Sequence, residues 1–223
     1  MGFYYITVAT KPHEVLDNLQ KRVEKQGEQL IVLGLHENRY IGWHAAGNFG
    51  IKLREVKDFI MRPDLDGDDV VLFTDAYDVI YYGNQEEIIR RYLKLNKPII
   101  FGCEKFCNPI PSYASKFEFK DTEFPYLNSG LFIGRVDALR KCMENYKYDD
   151  KHDDQVFWMD AFFNHPELIG LDYKNSLFFN TVGVDLKTII QRDGKCYYKD
   201  AVPQFVHING PDKTEVKLFV APV

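Results

Sequence analysis

The chain has 223 residues, 45% of them hydrophobic and 27% charged, the balance of an ordinary globular protein. Its 28 Lys and Arg against 33 Asp and Glu leave a net charge of -5. That argues against a basic surface for a nucleic-acid backbone, though not against one small anionic ligand held locally. The chain opens MGFYYITVAT, with no basic n-region and no small-residue cleavage site, so no signal peptide is evident. Position six is an isoleucine, which speaks against N-myristoylation. No apolar run approaches the roughly 20 residues needed to span a bilayer.

Phe3 to Ala9 is aromatic and β-branched and reads as a strand. Thr10, followed by Lys11 and Pro12, reads as the start of a helix. Val15, Leu16, Leu19 and Val23 then repeat at helical spacing up to Gly27. Leu30 to Leu35 is a second short apolar run. The stretch from Ala45 to Met61 is helical at its end, where Leu53, Val56, Phe59 and Ile60 recur with the right period. Val70 to Thr74 is apolar throughout, as a central strand covered on both faces should be. An amphipathic stretch from Asn84 to Leu95 leads to a buried strand, Pro98 to Gly102, and Tyr126 to Gly134 with Arg135 to Tyr146 repeats the theme. Beyond about residue 165 the pattern loosens into extended pieces: Ser176 to Phe179, Lys187 to Ile190, Cys196 to Tyr198 and Gln204 to Ile208. There is no repeat, low-complexity stretch or linker. The expectation is one α/β domain over residues 1–223, with a mainly parallel central sheet and helices on both faces. Cys103 and Cys107 are near enough to bridge in an oxidising compartment, but an apolar setting favours two free thiols.

In such sheets ligands bind beyond the carboxyl ends of the strands. The run Val70-Val71-Leu72-Phe73-Thr74-Asp75-Ala76-Tyr77-Asp78 delivers two carboxylates to that edge. Acids so close repel unless a positive centre lies between them, and a hard dication with room for phosphate oxygens is one answer. Asp75 as a turn cap and Asp78 as a solvated acid is the plain alternative. Near the end of the chain, His207 follows the apolar Phe205 and Val206; an imidazole there suits Mn²⁺ better than Mg²⁺, though taken alone it is more often a satisfied structural histidine. Asn209-Gly210-Pro211 with Lys213 would present amides and one ammonium to a phosphate, or simply make a turn. Asn128-Ser129-Gly130 inside an apolar stretch marks a strand rim facing a polar ligand, or a bulge at Gly130. The acid run containing Asp153, Asp154 and Gln155 is by itself a helix N-terminus.

Taken in order, Ile6 to Thr10, Phe73 to Ile80, Phe106-Cys107, Leu127 to Gly130, Asp153 to Gln155 and His207 to Pro211 resemble the glycosyltransferase domain of the procollagen lysyl hydroxylase/glycosyltransferase family. The resemblance runs from Tyr5 to about Lys217. It implies a GT-A fold, Mn²⁺, a UDP-sugar donor and a collagen-like acceptor. The implied reaction moves glucose from UDP-glucose to galactosyl-hydroxylysine, the alternatives being galactose transfer to hydroxylysine or a non-catalytic binding module. A Mg²⁺-dependent phosphatase or nucleotidyl enzyme rests on the acid pair alone and lacks a visible nucleophile.

Carried over, Asp75, Asp78 and His207 would hold the metal. Tyr77 would stack on the uracil, with Thr7, Val8 and Thr10 at the base and ribose. Lys52 would contact the nucleotide, Asn128 would face it, and Asn209, Gly210 and Lys213 would hold the diphosphate. Asp153, Asp154 and Gln155 would line the sugar and acceptor side. Retention of anomeric configuration, as glucosyl transfer in that family shows, would put the attacking hydroxyl on the leaving-group face. Two departures stand out: Asn108 where the family usually has a tryptophan, and an acidic run broken by Lys151 and His152. The sequence stops at Val223 without the family's hydroxylase segment, so glycosyl transfer without lysyl hydroxylation is expected. With no address visible the compartment defaults to the cytoplasm, whereas family analogy implies the secretory lumen.

Overall fold

Alternate side chains of each central strand point to opposite faces, and here both faces are apolar, so both must be covered. A computed structural model describes residues 1–42, 47–118, 120–210 and 212–220. Ala45, Ala46 and Pro211 of the segments named above lie outside the described residues. In chain order the strands are β1 (Phe3–Val8), β2 (Leu30–Leu33), β3 (Val70–Asp75), β4 (Val79–Tyr81), β5 (Ile99–Glu104) and β6 (Tyr126–Arg135). They continue as β7 (Ile169–Leu171), β8 (Phe178–Asn180), β9 (Ile189–Arg192), β10 (Lys195–Tyr198) and β11 (Phe205–His207). The helices are α1 (Glu14–Lys25), α2 (Gly50–Ile60), α3 (Gln85–Leu95), α4 (Val136–Met143) and α5 (Asp154–Asn164).

Six strands form the main sheet in the order β2-β1-β3-β6-β5-β7, and β9 pairs with β10 as a hairpin. β6 runs antiparallel to both neighbours, while the other pairings are parallel, so the sheet is mainly parallel as expected. Ile6, Val71, Phe73, Phe101 and Phe132 face one layer, where α2, α4 and α5 supply Val56, Phe59, Leu139, Trp158 and Met159. Tyr5, Val70, Leu72, Ile100 and Ile133 face the other, covered by Leu19 and Val23 of α1 and Ile88 and Tyr92 of α3. Phe132 is the hub of the first layer, with ring centroids 4.9 Å from Phe73, 5.0 Å from Phe101 and 5.3 Å from Trp158. Removing such a ring costs about 3–5 kcal/mol.

Two features of this architecture position the site. The inserted β6 runs against its neighbours, so its first residues arrive at the carboxyl edge of β3 and β5. The second is a small sheet, β4-β11-β8, in which His207 pairs with Val79 on one side and Asn180 on the other. The helix start differs from expectation. The α1 cap is His13, whose Nδ1 accepts from Val15 N at 3.2 Å, because Thr10 is fully buried and its amide is donated to the Tyr77 hydroxyl. Asn84 caps α3 through Oδ1 to Glu87 N. All four cysteines are free thiols, and among the described residues no helix is long and apolar enough to cross a membrane.

Candidate active site

β3 ends on Asp75 and the chain turns at once through Ala76 and Tyr77 to Asp78, which leads into β4. The β4–β11 ladder then sets His207 beside Asp78, with Ile208 N donating to the Asp78 carbonyl at 2.9 Å. His207 Nε2 lies 3.2 Å from Asp78 Oδ2 and 3.7 Å from Asp75 Oδ2. The three side chains offer ligand atoms all within 4.8 Å of one another. Two carboxylate oxygens and one imidazole nitrogen converge on a single point.

Neighbouring groups fit that point to a cation. The Asn180 amide donates from Nδ2 to the Cys103 carbonyl at 2.8 Å, which turns its Oδ1 toward His207 Nδ1 at 2.8 Å. Nδ1 is thus engaged by Asn180, which leaves Nε2 as the nitrogen that faces the acids, the one a metal would take. Gly130, opposite, clears the space: a Cβ there would collide with His207 Cε1 and come within 2.8 Å of Asp75 Oδ2. The β5–β6 register shifts at Phe101/Gly102, where the partner of β5 jumps from Phe132 to Asn128. Ser129 to Leu131 thus bulge out of that ladder, as the bulge reading of Gly130 expected.

Charge around the cluster is distributed with care. Lys52, buried on α2, donates to Asp75 Oδ1 at 3.0 Å and pairs with Asp154 Oδ2 at 2.8 Å. Burial opposes its charge, yet the Asp154 and Asp75 carboxylates raise its pKa above the ordinary lysine value. Lys213 bonds Asp78 Oδ2. Burial works against the Asp78 anion too, but the His207 imidazole and Lys213 ammonium hold its carboxyl well below the usual carboxylate range.

The first turn of α5 closes the other wall. Asp153 is its cap, Oδ1 accepting from Val156 N at 3.1 Å, and burial followed by repulsion from Asp154 raises its pKa. Asp154 accepts from the Ser129 hydroxyl at 2.9 Å. Gln155 accepts from Ser129 N at 2.7 Å through Oε1 and donates from Nε2 to the Leu127 carbonyl at 2.5 Å. Deepest in this wall sits Glu104, at the end of β5, which sequence reasoning missed. Nδ2 of Asn128 and Nε2 of Gln155 donate to its Oε1 at 3.2 and 3.3 Å, and Nδ2 of Asn209 donates to Oε2 at 3.0 Å. Those donors favour the anion, but burial dominates and pushes its pKa up to about 8. The available signal was an acid directly after an apolar strand, the pattern that picked out Asp75.

These residues line one cleft of about 600 Å³. Val8, Thr10, Lys52, Asp75, Tyr77, Asp78, Asn128, Asp153, Asp154, Gln155, His207, Asn209, Gly210 and Lys213 all face it, as do Asn108 and Glu104. Thr7 does not: fully buried beneath the cleft, it donates its hydroxyl to the Thr74 carbonyl at 2.7 Å. The Tyr77 hydroxyl accepts from Thr10 N at 2.8 Å and Lys11 N at 3.0 Å, tying its ring to the loop after β1. Asn209 Oδ1 accepts from Val182 N at 2.9 Å, and Gly210 takes a left-handed φ of 94°, which a side chain would resist.

This mainly parallel α/β sheet, with an acid pair after a central strand and a histidine brought in by a second small sheet, has the GT-A-type fold of solved glycosyltransferases. The fold matches a solved glycosyltransferase involved in glycosylating the major capsid of PBCV-1, with a TM-score of 0.57 and 14% identity over 98% of each chain. It also matches mouse xyloside xylosyltransferase 1, with a TM-score of 0.51 and 10% identity over 94% of this chain and 98% of that one. The family model described as the PLOD GT domain matches residues 2–220, and the chain belongs to that family of glycosyltransferase domains. It is 29% identical over 228 residues to a multifunctional procollagen lysine hydroxylase and glycosyltransferase of Caenorhabditis elegans. With the human protein LH3 of the same description it shares 28% over 226 residues. Each match takes in 95% of this chain but only 31% and 30% of the relative's length.

Proposed function

We propose that this domain transfers a hexose from a UDP-sugar to a collagen-like protein with the help of Mn²⁺, and that the reaction is glucose transfer from UDP-glucose to galactosyl-hydroxylysine. The observation that carries the reading is the convergence of Asp75, Asp78 and His207 within 4.8 Å inside the cleft of a PLOD-type glycosyltransferase domain. An imidazole beside two carboxylates is a donor set that Mn²⁺ accepts more readily than Mg²⁺. The names of the relatives, which pair procollagen lysine hydroxylase with glycosyltransferase, support the acceptor class.

Bound at these residues, the cation would take up charge that develops on the diphosphate as the bond to the sugar breaks. Tyr77 offers its ring to the base, and the backbone after β1 offers Val8 and Thr10 beside it. Lys213, Asn209 and the Gly210 turn address the diphosphate. Asp154, held by Lys52 and the Ser129 hydroxyl, orients the acceptor hydroxyl or steadies positive charge on the ring. The departing diphosphate takes the acceptor's proton. Asn108 lines the cleft where the resembled family usually has a tryptophan near the sugar, so the choice between glucose and galactose would be read there.

The test is UDP release from UDP-glucose and UDP-galactose with deglucosylated collagen peptide, with Mn²⁺ or with chelator. Transfer that needs Mn²⁺ and vanishes in Asp75→Ala/Asp78→Ala supports the reading. UDP binding without transfer to any collagenous acceptor leaves a non-catalytic module, and undiminished turnover in the double variant overturns the metal site.

A further inference from the structure

Two lysines reach the acid pair, and they take different kinds of oxygen. Lys52 bonds Asp75 Oδ1, leaving Asp75 Oδ2 as the atom 3.7 Å from His207 Nε2. Lys213 bonds Asp78 Oδ2, the very oxygen that lies 3.2 Å from His207 Nε2. A cation shared by the triad bonds the atoms that face one another. Lys52 can therefore keep its contact when a cation enters, whereas the Lys213 ammonium claims the same oxygen as that cation. Two positive centres cannot crowd one carboxylate oxygen without strong repulsion.

The anchoring of the two side chains differs in the same sense. Lys52 is pinned between two carboxylates on a regular helix and is buried. The Lys213 side chain is 42% exposed, and apart from Asp78 its ammonium donates to the Ile208 carbonyl at 3.0 Å. It springs from the segment after Gly210, ahead of a short 3-10 turn at Thr214–Leu218, and it lines the cleft. It therefore has both the freedom and the place to move from the acid toward an anion beside it.

We propose that Lys213 couples metal to donor: it neutralises Asp78 until a dication takes Asp78 Oδ2, and the ammonium so released then pairs with the donor's diphosphate. This rests on reading the cleft as a dication and UDP-sugar site. It makes Lys213 a positioning residue whose removal has opposite effects on the two ligands. Without it, Asp78 is open to the cation; without it, the diphosphate loses a charge-assisted hydrogen bond.

The experiment measures Mn²⁺ binding by calorimetry in the absence of nucleotide, and UDP binding at saturating Mn²⁺, for the full chain, Lys213→Met and Lys213→Arg. Lys213→Met is expected to bind Mn²⁺ about tenfold more tightly and UDP about tenfold or more weakly. Lys213→Arg, which keeps the charge, is expected to stay near the wild-type values for both. A purely structural role for Lys213 would weaken both ligands together in Lys213→Met, and that result overturns the proposal. Unchanged Mn²⁺ affinity in a variant with a wild-type melting curve overturns it as well. A wild-type chain that binds neither Mn²⁺ nor UDP defeats the underlying reading of the site itself, and the coupling falls with it.

Discussion

Gly130 packs against the His207 ring so closely that a Cβ at position 130 would collide with Cε1. The same Cβ would stand 2.8 Å from Asp75 Oδ2, so one methyl group presses on two members of the proposed metal-ligand set at once. Neither neighbour can retreat easily: His207 is held in the small sheet and bonded to Asn180, while Asp75 closes β3. Gly130→Ala is expected to lower Mn²⁺ affinity and transfer at least about tenfold, since misplacing a ligand by a fraction of an ångström spoils the coordination geometry. Calorimetric Mn²⁺ titration with thermal melting checks this. Wild-type affinity in a folded Gly130→Ala would show that the triad does not act as a unit.

Asn180 makes a sharper probe of the same centre because it lies outside the cleft lining and reaches the centre through His207. Its carbonyl oxygen lies 2.8 Å from His207 Nδ1 and orients the ring, and its amide is fixed in turn by the Cys103 carbonyl. Asn180→Leu keeps the approximate volume and removes the acceptor for Nδ1–H. Outer partners of this kind are worth about 10–100-fold in metal affinity, and a loss of that size with UDP-independent character is expected. The readout is the Mn²⁺ binding constant without nucleotide; an unchanged value would mean that the imidazole orients itself without help.

The chain's readable part was its edge chemistry. Apolar strands followed at once by polar residues placed Asp75, Asp78 and His207 at the ends of elements, Asn128 stood out as a polar residue inside an apolar stretch, and the structure brings all four into one cleft. The rest depends on pairing between distant segments, which periodicity does not encode. The direction of β6 is the main example: its run from Tyr126 to Gly134 is equally apolar for either orientation. Only the antiparallel insertion carries Asn128 and Ser129, from the start of that strand, to the carboxyl edge. β4 and β7 have three residues each and vanish among loops in the sequence, yet β4 seats His207 on Asp78. Thr10 looked like a helix cap because Lys11-Pro12 follows it, but tertiary bonding of its amide to Tyr77 overrides the local signal. Glu104 was legible by the same rule as Asp75 and went unnoticed because nothing beside it in sequence repeats the charge.

Tyr77 joins a ring open to the cleft to a hydroxyl that holds the loop after β1, and two substitutions separate those duties. Its hydroxyl accepts from the Thr10 and Lys11 amides and donates to the Lys11 carbonyl at 3.1 Å. Tyr77→Phe removes those bonds but leaves the face of the ring. If the ring stacks on the base, Tyr77→Ala raises the UDP-sugar KM by about tenfold or more, on the scale of 1–3 kcal/mol per stacked base. Tyr77→Phe is expected to raise it by a smaller factor through a looser loop. Equal effects would assign the whole role to the hydroxyl.

Glu104 and Asp78 are both buried acids of one cleft, and their proton affinities are displaced in opposite directions. For Glu104, burial moves the pKa from 4.5 to about 8. Between those values the unfolded chain has released the proton while the folded chain retains it. The unfolded state then binds fewer protons, so this group's contribution to stability falls as pH rises from about 4.5 to about 8, by at most about 1.4 kcal/mol per pH unit. Asp78, with its lowered pKa, adds stability above the ordinary carboxylate range and loses it only in acid. Glu104→Gln keeps the shape but cannot ionise, and its Nε2 replaces an oxygen that accepts from at least one of the three amide donors, so some stability is lost at low pH. The stability of wild type minus that of Glu104→Gln is therefore expected to fall as pH rises from 5 to 8 and to level off above it. Denaturant titrations across pH 5 to 9 measure that difference directly. A difference that stays flat across the range would mean that Glu104 titrates in the fold as it does in the unfolded chain.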